Sequence, residues 1–233
     1  MVAPEKLLLC AAASKPWLLA GAAMFTAIGL AIGFGVAGPT AHGDAGLIAY
    51  LHIPATWLAL LLLAALAACA LLGRYFLQER MCAIFAEALA PTGALFAFLT
   101  LWTGSLWGKP VWGTWWNWDM RVIADMVLLA VYVGVYTVHA GVADPARADR
   151  LTAMIALAGA IVVPVLIASV FAGSPTHRDD APAPPASLSH GALTAVIAGL
   201  ALYASSAVIA RARCIMLERT RDDPWPAPAR TDP

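Results

Sequence analysis

The sequence predicts an all-α membrane protein. It would have six transmembrane helices, both termini in the cytoplasm, and a short amphipathic Trp-rich segment in the outward loop between helices 3 and 4. Three observations predict this. First, 61% of the 233 residues are hydrophobic and only 12% are charged, with a mean hydropathy of +0.78. A soluble domain is about half apolar and about a quarter charged, and its surface-to-volume ratio would leave much of this apolar content in water. Second, the apolar residues fall into six runs of about 20 residues or more, the length a helix needs to cross hydrocarbon. Third, the fourteen Lys and Arg residues are distributed unevenly between the two sets of connecting segments. Such a composition excludes a soluble enzyme and a disordered regulator. The formal net charge of +0 supplies no basic field for nucleic acid.

The first run, Trp17–Gly38, follows a cytoplasmic tail over 1–16. Its apolar stretch is too long for a signal peptide, and no small-x-small cleavage site follows a short core. The second, Leu47–Gly73, opens with AYLHIPATW. The third and fourth are Met81–Leu106 and Val122–Val142; the fifth is Leu151–Ala172 and the sixth Gly191–Ala210. None alternates like a strand, and all exceed the roughly ten residues of a barrel strand. Together 17–210 form one membrane domain. The tail over 211–233, ending DDPWPAPARTDP, has the composition of a disordered segment.

Charge sets the orientation. Lys6, Lys15, Arg74, Arg80, Arg147, Arg150, Arg211, Arg213, Arg219, Arg221 and Arg230 fall on one side, and only Lys109, Arg121 and Arg178 on the other. The positive-inside rule makes the first side cytoplasmic. The loops near 39–46, 107–121 and 173–190 then face outward, the last extended because it is Pro-rich. Cys10, Cys69, Cys82 and Cys214 all lie toward the cytoplasm and form no CxxC pair. Disulfide, thiol-redox and thiolate-zinc chemistry are therefore not indicated.

The outward loop over 107–121 carries Trp107, Trp112, Trp115, Trp116 and Trp118, followed by Asp119 and Arg121. One or two indoles anchor a helix end at the lipid interface; five in twelve residues exceed that need. If 112–119 is helical, with Pro110 at its start, then Trp112, Trp115, Trp116 and Asp119 share one face. Gly108 and Gly113 would let a flat ligand approach the backbone. This aromatic shelf suits a large planar apolar molecule: a haem, a quinone or a lipid head group. Asp119 also suits a helix N-terminus. Arg121 can pair with Asp125 one turn on, or meet a ligand carboxylate.

Of the five histidines, His42, His52, His177 and His190 fall on the outward side, and His139 near the cytoplasmic end of the fourth run. His52 is held near the start of the second helix by Pro54, and His177 follows the fifth helix. Two imidazoles flanking an aromatic shelf could supply two axial ligands to a haem iron. His190 is the alternative to His177.

The segment WGKPVWGTWWNWD resembles the signature of the WWD family of haem-handling membrane proteins. With six spans and LHIPATW at the second helix, the chain is similar, over roughly 45–205, to the haem exporter protein C (CcmC) group of the bacterial cytochrome c maturation system. The resemblance implies that haem b is held at the periplasmic face of the inner membrane, with His52 and His177 as axial ligands. The binding residues would be Trp107, Gly108, Trp112, Gly113, Trp115, Trp116, Trp118, Asp119 and Arg121. It also implies delivery to a periplasmic haem chaperone (CcmE), beside an ABC transporter ATPase and membrane subunit (CcmA, CcmB) and a small membrane peptide (CcmD). No GxxxxGK[ST] occurs, so ATP hydrolysis would belong to a partner. The rival expectations are a haem-free structural subunit of a transporter or respiratory complex, and a quinone-binding subunit.

Overall fold

A computed structural model describes residues 13–36, 45–75, 79–173 and 190–222. His42, His177 and Arg178 lie outside the described residues. Six helices carry the described chain: α1 (Lys15–Val36), α2 (Ala45–Tyr75), α3 (Glu79–Trp112), α4 (Met120–Gly141), α5 (Pro145–Gly173) and α6 (His190–Asp222). All six are long and apolar enough to cross a membrane, and no strand occurs among the described residues. The chain is thus an all-helical, multi-pass membrane protein. In hydrocarbon every backbone N–H and C=O must find a partner within the span, which a helix provides by itself.

Local sequence explains the helix ends. Asp144 starts α5: its Oδ1 accepts from Ala146 N at 3.0 Å, and Pro145 occupies a first-turn position where an N–H is not needed. The third helix ends six residues later than the apolar run predicts, at Trp112 rather than Leu106. Pro110 lies inside its last turn instead of starting a new helix. Gly113 stops it by turning to φ 75°, with its N–H donating to the Lys109 carbonyl at 3.0 Å. This left-handed cap needs glycine, because a Cβ would clash in that conformation.

The expected tail is also corrected. Residues 211–222 continue α6 as helix, because their side chains find partners on α3 and α5. Arg211 Nη1 donates to Thr92 Oγ1 at 2.5 Å. Arg219 grips both Asp149 oxygens at 2.9 Å and Glu87 Oε2 at 2.7 Å. His139, at the end of α4, adds Nδ1 3.6 Å from Glu87 Oε2 and Nε2 2.9 Å from Thr152 Oγ1. One ionic cluster therefore ties α3, α4, α5 and α6 at the end of the bundle away from the Trp-rich segment.

α3 is the most buried span and α1 the least. α3 packs on α2, α4 and α6; α1 rests mainly on α6. The core is built from Ala, Leu and a few large groups, among them Leu66, Ile84, Phe96, Leu128, Tyr132 and Val163. Tyr132 is fully buried, and its hydroxyl donates to the Ala59 carbonyl at 2.6 Å. Its ring lies against Gly93, where any Cβ would overlap it. The α1–α6 contact uses small residues in the same way: a Cβ on Gly29 would come 2.7 Å from the Ala192 carbonyl oxygen. Close backbone approach replaces the hydrophobic drive that lipid cannot supply between helices. Outward-facing Leu61, Phe98, Ile161 and Val165 are exposed, as expected where the solvent is acyl chain.

Candidate functional site

At the opposite end from the Arg219 cluster, α2, α3 and α4 line a narrow, partly open cleft. Its wall on α2 is His52, and its wall on α3 includes Thr100, Gly104, Ser105 and Gly108. The rim is Trp112, Trp115, Trp116 and Asn117, and α4 contributes Arg121 and Asp125.

His52 stands two turns inside α2 rather than at its start, because the helix begins at Ala45 and continues through Pro54. Its Nδ1 lies 2.9 Å from Thr103 Oγ1. The Thr56 hydroxyl donates to the His52 carbonyl at 2.9 Å and sits 3.3 Å from Thr100 Oγ1. Thr100 and Thr103 are buried, and each returns a hydrogen bond to its own helix. This seam of hydroxyls is the polar lining of an otherwise Ala- and Leu-rich helix pair. Trp57 faces away from it and is exposed.

The expected short amphipathic helix over 112–119 does not form. Residues 113–119 are an irregular strap between α3 and α4, because the Gly113 cap breaks the helix and Asp119 starts the next one. The strap is tied down by side chains. Ser105 Oγ donates to the Trp115 carbonyl at 2.6 Å. The Thr114 hydroxyl donates to the Trp116 carbonyl at 2.9 Å, and Lys109 Nζ donates to the Gly113 carbonyl at 3.0 Å. Gly108 lets the strap fold back closely, since a Cβ there would come 3.3 Å from the Thr114 carbonyl oxygen, a tight contact.

The structure sorts the expected residues. Trp107, Gly108 and Trp112 belong to α3, not to a loop. Trp112, Trp115 and Trp116 line the cleft, as does Gly108. They gather there by the fold-back of the strap, not by a shared helical face. Trp107 supports Trp112 from behind, edge to face, with centroids 5.0 Å apart. Trp118 packs edge to face on Trp116 at 5.5 Å and is otherwise exposed. Gly113 is a cap with open space around it. Asp119 is the N-cap of α4: its Oδ1 accepts from Val122 N at 2.9 Å, while its buried Oδ2 has no hydrogen-bond partner among the described residues. Of the two readings of Arg121, the ion pair with Asp125 does not form; its guanidinium lies over the Trp112 ring, 5.3 Å from the centroid. Lys109 sits 5.7 Å from the Trp115 ring. His190 is exposed at the start of α6 and does not line the cleft. His177 lies outside the described residues.

Thr100, Thr103, Gly104 and Asn117 were not expected at the site. A signal for three of them was present: Thr100, Thr103 and Gly104 fall at i, i+3 and i+4, two hydroxyls and a glycine on one stripe of an apolar helix. The cleft thus combines aromatic walls, one imidazole, one guanidinium and the Asp125 carboxyl. Apolar faces, a nitrogen donor and a cation fit a planar metallated ring with anionic substituents.

Comparison with known proteins shows the family of the chain. The family model Heme exporter protein C (CcmC) matches residues 1–227. The Heme exporter protein C of Bradyrhizobium diazoefficiens is 36% identical over 167 residues, which is 72% of this chain and 63% of that protein. That of Escherichia coli K12 is 38% identical over 156 residues, 66% of this chain and 63% of the relative. That of Paracoccus denitrificans is 34% identical over 158 residues, covering 68% and 65%. The matched stretch therefore spans a little under two thirds of each of these relatives. With the family match running along nearly the whole sequence, the chain belongs to the Heme exporter protein C family.

Proposed function

We propose that this protein binds haem b in the cleft at the His52 end and presents it to a periplasmic haem chaperone for c-type cytochrome assembly. The observation that carries the reading is the convergence of His52, Trp112, Trp115, Trp116 and Arg121 on one cleft. Family membership supports it, since relatives bear the name Heme exporter protein C. The setting is a bacterial inner membrane with the cleft facing the periplasm, an orientation supported by the eleven-to-three distribution of basic residues.

Haem contributes an iron that accepts nitrogen ligands, an apolar ring and two propionates. His52 would ligate the iron from the α2 wall, and His177 would supply the second nitrogen, with His190 as the alternative. Trp112, Trp115 and Trp116 would cover the ring, each adding on the order of 1 kcal/mol beyond area burial. Arg121 would neutralise a propionate by charge-assisted hydrogen bonding. Asp119, committed to capping α4, sets where Arg121 stands rather than meeting the ligand. The exposed strap leaves one rim of the cleft open to a partner. The ABC transporter ATPase and membrane subunit and the small membrane peptide are the further partners of this reading.

The test is a haemin titration of the purified haem-free protein, followed by tryptophan quenching and the Soret band. Saturation at one haemin per chain is expected, with affinity about fivefold to tenfold weaker in Trp116→Ala. Unsaturable uptake, equal in wild type and variant, contradicts the proposal and favours the haem-free structural subunit.

A further inference from the structure

We infer that Thr103 is a positioning residue for His52: it holds the imidazole as the Nδ1–H tautomer, so that Nε2 keeps the free electron pair. The inference rests on the haem reading above and adds the proton arrangement that the reading needs.

Thr103 has one hydroxyl proton. Its Oγ1 lies 2.5 Å from the Leu99 carbonyl oxygen and 3.3 Å from that of Thr100. Carbonyl oxygens only accept, so the proton goes to Leu99, the shorter contact. What remains on Oγ1 is lone pairs, and these face His52 Nδ1 at 2.9 Å. An acceptor at that distance requires a proton on Nδ1. A neutral imidazole carries only one, so Nε2 is bare.

The surroundings keep this arrangement in place. Thr103 is 2% exposed, so water does not compete for its oxygen. Thr56 and Thr100 hold the backbone register of α2 against α3 at the same level. Gly104 leaves the ring edge uncovered, because a Cβ there would already lie 3.4 Å from Cε1. The opposite assignment, with the Thr103 hydroxyl donating to Nδ1, breaks the bond to Leu99. It also puts a proton on Nε2, where it would block ligation. A ligating histidine generally donates its other N–H to such a partner, which fixes the ring and raises its basicity.

The test is ¹⁵N NMR of the haem-free full chain in detergent at about pH 8, where an ordinary histidine is neutral. Its histidines carry ¹⁵N in the ring, and His52 is assigned by its loss in His52→Gln. The expected wild-type spectrum has a protonated Nδ1 and a bare Nε2. Nε2–H in wild type overturns the inference whether or not haem binds. Thr103→Val is expected to shift His52 toward Nε2–H and to weaken haemin binding about tenfold. Thr103→Ser, which keeps the hydroxyl, is expected to retain both properties. A wild-type tautomer in Thr103→Val, or Thr103→Ser behaving like valine, overturns the role. If Thr103→Val does not fold, the wild-type and serine spectra decide. If no form binds haemin while the Nδ1–H tautomer stands, the haem reading fails and the positioning stands.

Discussion

His52→Ala is expected to lower haem retention by well over about tenfold, since partners that merely orient a ligating histidine are already worth about 10–100-fold. The fold should survive, because the deleted ring lines a cleft and is not part of the packed core. The backbone carbonyl of residue 52 keeps its bond from Thr56. Haem content per chain, measured beside the thermal midpoint, separates the two effects. Low haem with an unchanged midpoint identifies His52 as a ligand. Low haem with a collapsed midpoint would identify it as a structural residue, and full haem content would remove it from the site.

The second large effect is expected at the other end of the bundle. Arg219→Ala leaves Glu87 and Asp149 facing each other without their shared cation. Removing one partner of a buried pair costs about 3–5 kcal/mol, most of it from the stranded charge. Here the side chains are 16% exposed for Arg219, 26% for Glu87 and 24% for Asp149, which sets the expectation near the lower end, about 3 kcal/mol. Arg219→Lys should fall between, because a lysine cannot repeat the two-pronged grip on Asp149. Thermal unfolding in detergent measures both. A midpoint unchanged in Arg219→Ala would mean that solvent already screens the cluster. Haem content per folded chain should stay at the wild-type level, since no residue of this cluster lines the cleft.

The six spans were legible because hydrocarbon demands one property, sustained apolarity, over a length that the sequence displays directly. What was not legible were features set by contact. The last turn of α3 carries Gly108, Lys109 and Pro110, which read as a loop by composition but sit in a helix that only Gly113 ends. The final turns of α6 read as a polar tail because the partners of Arg211 and Arg219 are on α3 and α5, far away in sequence. At the site, the rare residue types announced themselves: His52, the tryptophans and Arg121 stand out in an Ala- and Leu-rich chain. Their arrangement did not, since Trp112, Trp115 and Trp116 meet through a strap held by Ser105 and Thr114, not through helical spacing. Thr103 was hidden for a related reason. A threonine in a membrane helix usually bonds its own backbone, and only the packing of α2 on α3 places its oxygen against an imidazole.

The most direct test of the account is the absorption spectrum of the protein purified in detergent after co-expression with the chaperone. It would be recorded oxidised and reduced, with a pyridine haemochrome assay. The account predicts about one haem b per chain with a low-spin spectrum of two nitrogen ligands, lost in His52→Ala. A haem-free preparation, or a haem spectrum unchanged by His52→Ala, would contradict it.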